Sequence, residues 1–219
     1  MLGLLVSVPI ACWRKGHARE YLETEPLPPP ATCYGFLLAL VGEENRECHI
    51  GARVTAGLIT PGKDELCGPE HHKGDISVVL RTLWRVKDRK APPGTANNLR
   101  PDFQQLTIGN RLVIWVDRGN ESAVPCLEDR VRSALADPAS VTRFGGLSLG
   151  ESTHLVDEVT LISQEPPEAD IFCSASDGRM SLPVWVDHVG SAGTRRQVGN
   201  LTRCRRPVAT DLPIISPTS

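Results

Sequence analysis

Along its first segment the chain alternates: Leu2, Leu4, Val6 and Val8 interleave with Gly3, Leu5 and Ser7. A period of two is the spacing of a half-buried strand, so the chain opens on a buried strand. Pro28, Pro29 and Pro30 then precede ATCYGFLLALVG. Proline suits the position before or at a helix start. Tyr34, Leu37, Leu38 and Val41 share one helical face, and Gly42 closes the run. The spacing predicts a helix over residues 31–41.

HIGARVTAGLIT follows as a strand ended by Pro61 and Gly62, and CGPEHHKGD as a polar connector. In SVVLRTLWRVKD, Val79, Leu83 and Val86 are apolar while Arg81, Arg85 and Lys87 are charged, which predicts a strand. RKAPPGTANNLRPDF carries too much Pro, Gly and Asn for anything but a loop or hairpin tip. RLVIWVD is β-branched or aromatic at its centre, again a strand. CLEDRVRSALAD spaces Leu127, Val131 and Leu135 as a helix before Pro138, and HLVDEVTLI ends the series as a strand.

The order is β-α-β-β-β-α-β with a hairpin in the middle. It is close to the split βαβ of an α+β, ferredoxin-like (RRM-like) sheet carrying an inserted β-hairpin. The expected division is a main domain over residues 1–162 and a short C-terminal extension over 163–219, packed on it and frayed at its tail. That extension is weaker in pattern; SLPVWVDHVG is its one plausible strand. No internal repeat is visible.

Composition narrows the classes. With 40% hydrophobic and 23% charged residues the chain reads as an ordinary globular protein, and its net charge of -2 excludes a global nucleic-acid footprint. Any such footprint is local. The apolar start lacks a positive region ahead of it, since Arg14 and Lys15 come after the run, and it is too short to span a bilayer. The seven cysteines are odd in number and form no C-x-x-C pair, as expected of reduced thiols in the cytoplasm. The sequons at Asn120 and Asn200 are then accidental.

Four constellations carry candidate chemistry. Gly146-Leu147-Ser148-Leu149-Gly150 fits G-x-S-x-G, the serine-hydrolase elbow, and Asp157, Asp187 and His188 follow it. An elbow needs a strand before the serine and a helix after it, whereas here a helical segment precedes and a β-branched one follows. Cys48, His49, Cys67, His71 and His72 offer zinc donors, but Cys67 and His71 are no tight ligand pair, and a solvated loop is the better reading.

The cationic stretch says more. Arg81, Arg85, Lys87, Arg89, Lys90, Arg100 and Arg111 lie between Val79 and Arg111 against only Asp88 and Asp102, with Trp84 and Phe103 interleaved. Cations pair with phosphates and flat aromatics stack on unpaired bases. Arg14, Lys15, His17 and Arg19 form a second cluster at the exit of the first strand. Finally, Gly145, Gly146 and Gly150 let backbone N–H groups approach an anion, with Arg143 and Phe144 beside them.

PLPPPATCYGFLLALVGE, LRTLWRVKD, NLRPDFQQL, LVIWVDRGN, RFGGLSLGES and SLPVWVDHVG together resemble the CRISPR-associated Cas-five family of the DevS-like subtype, over nearly the whole chain to about Gly190. The resemblance implies the subunit that holds the 5′ handle of the crRNA in type I Cascade, a ribonucleoprotein complex for RNA-guided DNA targeting. It makes residues 1–162 the palm and places a thumb within them at about residues 84–111, pressing across the RNA. Trp84, Arg85, Lys87, Arg100 and Phe103 become thumb candidates; Arg14, Lys15, His17, Arg19 and Tyr34 lie on or near the palm.

Arg81 joins them as a candidate, and Arg143, Phe144, Gly145, Gly146, Ser148 and Gly150 form the glycine-rich loop on this resemblance. Implied partners are the crRNA, Cas-seven backbone subunits, a large Cas-eight-type subunit, target DNA within the complex and, indirectly, a Cas-six endonuclease; no cofactor, metal or membrane is implied. The subtype serves both antiviral defence and CRISPR-associated transposons. One relative cuts precursor RNA with Tyr, Lys and His, and Tyr21, His17 and Lys15 lie close in sequence. A metal-independent ribonuclease is therefore the first alternative to a non-catalytic subunit, and a hydrolase built on Ser148 the second.

Overall fold

The computed structural model describes residues 1–16, 21–59, 75–84, 90, 92, 99–189 and 191–217, the side chains of 75, 82–84, 99 and 100 excepted. Among the described residues nine strands form a single sheet: β1 (Leu2–Ala11), β2 (Tyr21–Leu22), β3 (Arg53–Ile59), β4 (Asp75–Trp84), β5 (Leu99–Asp117), β6 (Glu158–Leu161), β7 (Ala169–Ser174), β8 (Met180–Trp185) and β9 (Arg195–Cys204). The α-helices of the described residues are α1 (Pro30–Leu40) and α2 (Leu127–Ala136), which give an α+β architecture. The strand order is β6-β1-β5-β3-β7-β9-β8, with β2 and β4 each added to β5.

The 19-residue β5 organises the sheet. Its second half lies between β1 and β3, antiparallel to both, where Leu112, Val113, Ile114, Trp115 and Val116 are buried. Its first half runs on beyond them and takes β4 as an antiparallel partner from Leu99 to Ile108. The paired arms therefore begin at Asp75, earlier than the expected hairpin base, and the stretch expected as a loop already pairs from Leu99 onward.

The inner face buries the alternating set Leu2, Leu4, Val6 and Val8 with Leu112, Ile114 and Val116, and both helices pack on it. α1 starts at Pro30 and is followed by Gly42, whose φ of +67° only glycine adopts at ease. Cys33 and Phe36 are buried as well as Tyr34, Leu37 and Leu38, so α1 is enclosed on more than the one face its spacing suggested. In α2 the inward set is Leu127, Val131 and Ala134, with Leu135 only half-buried. The outer face carries a smaller cluster of Val113, Trp115, Ile171 and Leu212.

The C-terminal segment is part of the same sheet. β7 pairs with β3 and β9 with both β7 and β8, so it extends the sheet through two strands the sequence pattern did not mark.

A buried polar clamp ties the two helices together. The Glu121 carboxylate accepts the Leu127 N–H at 2.9 Å, capping α2 from a preceding loop, and also bonds His49 Nδ1. Arg130 on α2 reaches His49 Nε2 at 2.9 Å and pairs with Glu43 just after α1. Arg130 holds the Glu43 carboxyl below its ordinary pKa. Glu43, Cys48 and His49 thus converge within 4.8 Å, yet both His49 ring nitrogens already have protein partners, which makes the cluster a clamp.

Removing the Glu121 carboxylate leaves a buried imidazole and a helix N–H unsatisfied. Glu121→Ala is expected to destabilise the protein by about 3 kcal/mol, read as a drop in the urea midpoint at unchanged m-value. A loss below about 0.5 kcal/mol, the scale of ordinary surface substitutions, would show that the clamp contributes nothing.

Candidate functional site

Three segments meet at one end of the sheet: the exit of β1, the arms of the β4–β5 hairpin around Arg81 and Gln104, and the glycine loop between α2 and β6. The loop folds back on itself. Ser148 bridges Leu155, Leu149 donates its N–H to the His154 carbonyl, and Val156 to that of Leu147. Leu149 is fully buried and anchors the turn, and its carbonyl accepts Trp13 Nε1–H at 3.3 Å. Gly150, with a φ of +120°, packs so close that a Cβ there would stand 3.2 Å from both the Cys12 carbonyl and His154 Nδ1.

His154 is the hub. Its Nδ1 accepts two backbone N–H groups, from Cys12 at 3.3 Å and from Glu151 at 3.1 Å. The ring therefore carries its proton on Nε2. Burial pushes its pKa below the ordinary 6.5, with Arg81 acting the same way and Glu151 opposing.

Glu151 in turn pairs with Arg81 of β4 and accepts Gln104 Nε2–H of β5 at 3.3 Å, while Arg81 also donates to Gln104 Oε1 at 2.9 Å. One carboxylate thus fixes the middle of the hairpin arms to the glycine loop. Sequence reading passed over Glu151, His154 and Gln104; the available signal was GESTH immediately after the loop, two titratable groups three apart in a turn.

The anticipated residues divide. Phe144 is fully exposed at 104%, with exposed Arg143, Gly145 and Gly146 beside it. Phe103 is 54% exposed opposite Leu80, on a hairpin face where Ile76 and Val78 are also open to solvent. Arg14 is exposed and bridges Thr24, while Lys15 is held at 2.9 Å by Glu23, which raises its pKa.

Tyr34 stands apart. It is 4% exposed, and its hydroxyl donates to the Arg46 carbonyl at 2.7 Å. Trp84 and Arg100 occupy paired positions near the ends of the hairpin arms, Trp84 opposite Leu99 and Arg100 opposite Leu83. His17, Arg19, Arg85 and Lys87 lie outside the described residues, as do Cys67, His71 and His72.

Ser148 does not sit on a strand-to-helix turn. A 3-10 turn at Pro138–Ser140 precedes the loop and β6 follows it. Among the described residues no helix is long and apolar enough to cross a membrane.

No family model matches the sequence. The chain is 53% identical over 204 residues to "CRISPR-associated protein Cas5" of Myxococcus xanthus (strain DK1622), covering 92% of this chain and 90% of that protein. Its fold is similar to a chain of a solved "CRISPR RNA-guided surveillance complex", with a TM-score of 0.58 at 13% identity over 91% of this chain and 87% of the other. It is also similar to a solved "Cas protein", with a TM-score of 0.51 at 15% identity over 99% and 100% of the two chains.

The His154 hub sets a pH dependence. A histidine whose folded pKa lies below its unfolded value holds fewer protons when folded, so its stabilising contribution is complete above about pH 6.5 and declines as pH falls toward the folded pKa. Amide exchange across residues 147–156, corrected for intrinsic rates, should quicken as pH is lowered from neutral to about 5.5. Protection unchanged over that range would mean that His154 does not hold the loop.

Proposed function

The chain belongs to the CRISPR-associated Cas5 family, and from that premise we propose that it is a non-catalytic RNA-binding subunit of a type I CRISPR effector that grips the 5′ handle of the crRNA. In strand order, β6-β1-β5-β3 with α1 after β1 and α2 after β5 corresponds to the β-α-β-β-α-β arrangement of a ferredoxin-like palm, on which β4 and the first half of β5 form the thumb. The observation that carries the reading is the Arg81–Glu151–His154 linkage, which supports hairpin, glycine loop and β1 exit as one surface.

That surface suits an RNA strand. Exposed Arg143 and Arg14 are placed for phosphates, Phe144 and Phe103 for unpaired bases, and the glycines for close approach of backbone N–H groups. The exposed apolar hairpin face and the near-neutral total charge suit a subunit flanked by protein neighbours, namely Cas-seven backbone subunits and a large Cas-eight-type subunit. The hydrolase alternative finds less support, since Ser148 lies in a chain reversal with a 3-10 turn before it and β6 after it.

The test is to co-express the chain with its genomic neighbours, purify the complex and sequence its RNA. A uniform small RNA with a fixed 5′ handle is expected, uncleaved on incubation. Arg143→Ala should lower the salt slope of binding by about 0.7, and Phe144→Ala should cost about 1–3 kcal/mol in affinity. A complex without RNA, or cleavage of added precursor by the chain alone, would overturn the reading.

A further inference from the structure

Behind the glycine loop, between α1 and β8, lies a cavity of about 350 Å³. Its floor is Trp185, nine-tenths buried, and the Arg46 guanidinium lies over that ring 3.8 Å from its centroid. A hydrogen bond of 2.8 Å from Arg46 Nη2 to the Val186 carbonyl fixes the guanidinium in place. Ser148 and Gly150 of the glycine loop form one wall, and His188 stands on the rim. The cavity therefore continues from the proposed RNA surface through the loop itself.

We propose that this cavity receives one unpaired nucleobase of the bound RNA. A volume near the lower end for ligand sites, lined by flat and apolar groups with a few polar ones, matches a single base or nucleotide better than a folded partner's surface. The braced guanidinium offers a flat cationic surface for stacking and N–H donors for a base edge, and the Ser148 hydroxyl and His188 ring supply further hydrogen bonds. Arg46 also complements the negative charge of the phosphates that would flank the base.

Gly35 provides an independent indication. It lies mid-helix in α1 with an ordinary helical φ, exposed, and a Cβ built on it would meet nothing within 4 Å. Glycine is a poor helix former, and here neither backbone conformation nor packing calls for it. The space it leaves open is this cavity, which Ala31 and Ala39, one turn to either side, also line.

The inference rests on the RNA-binding reading, and the experiment separates the two. The reconstituted complex, with its own RNA, is irradiated at a wavelength that crosslinks unmodified bases, and modified peptides are identified by mass spectrometry. Ribonucleotide adducts are expected on peptides spanning residues 31–39 and 184–188. Gly35→Leu, which projects a side chain into the cavity, should abolish those adducts and weaken RNA retention by about tenfold, while adducts on the glycine loop and hairpin persist. Gly35→Ala serves as the folding control and should raise Tm by about 2–4 °C.

RNA bound at wild-type strength by Gly35→Leu, or wild-type complex holding RNA with no adducts in these peptides, would overturn the cavity assignment alone. Deoxyribonucleotide adducts, or crosslinks there to a protein neighbour, would overturn it in favour of target DNA or a partner segment. A wild-type complex holding no RNA would remove both the assignment and the reading beneath it.

Discussion

The outward-facing half of the protein depends on the continuity of β5. One strand of 19 residues serves two environments: a completely buried stretch between β1 and β3, and a half-exposed stretch that carries β4 into solvent. A free two-stranded hairpin is marginal in water. Here its register is inherited from the core, because a slip of one residue in β5 would turn Leu112, Ile114 and Val116 out of the helix-covered face. The apolar pressure on that segment fixes where Arg81, Phe103 and Gln104 stand, although none of them belongs to the core.

The glycine loop has a different kind of support. It contributes one fully buried side chain, Leu149, packs Leu147 and Val156 against the core, and is held further by hydrogen bonds to backbone and to the His154 ring. Buried polar hubs are stable when every member is satisfied and costly when one is not. Directing two N–H groups onto one imidazole nitrogen makes the loop conformation conditional on a neutral ring, and the partly exposed Arg81–Glu151 pair extends that condition to the hairpin. Leu149 and Trp13 pack the loop against the β1 exit within the core, and these few polar groups add the link to the hairpin.

Much of this order was legible in the sequence, and the limits have physical causes. The first strand, both helices and the buried end of β5 announced themselves by period, proline and glycine, because each has one environment along its length. β9 did not: RRQVGNLTRC is exposed or half-buried at all but one position, so no alternation survives. β7 is short and mostly buried on both faces, which erases the period of two. Tyr34 shows the converse ambiguity, since a tyrosine on a helical face reads equally as core or as surface and the sequence does not show that the Arg46 carbonyl takes its hydroxyl. The six family-like motifs located the loop and hairpin, but Glu151, which links them, carries no pattern of its own in GESTH.

Acidic partners bear on how such a surface would discriminate. Two of the anticipated cations, Lys15 and Arg81, are already paired with Glu23 and Glu151. Pairs this exposed contribute little to stability, about 1 kcal/mol or less, so a phosphate can take Lys15 from its acid at small cost. Until then the acids orient the cations and mute their attraction for polyanions in general, consistent with a chain whose net charge is -2. On the proposed reading, affinity for an arbitrary strand is kept low, and the selective part of binding passes to elements that charge does not describe: the exposed rings of Phe103 and Phe144, the close-approach glycines, and a cavity whose shape is set by the absence of a side chain at Gly35. Discrimination by fit also explains why the sequence advertises it poorly, since the determining feature at Gly35 is an empty volume.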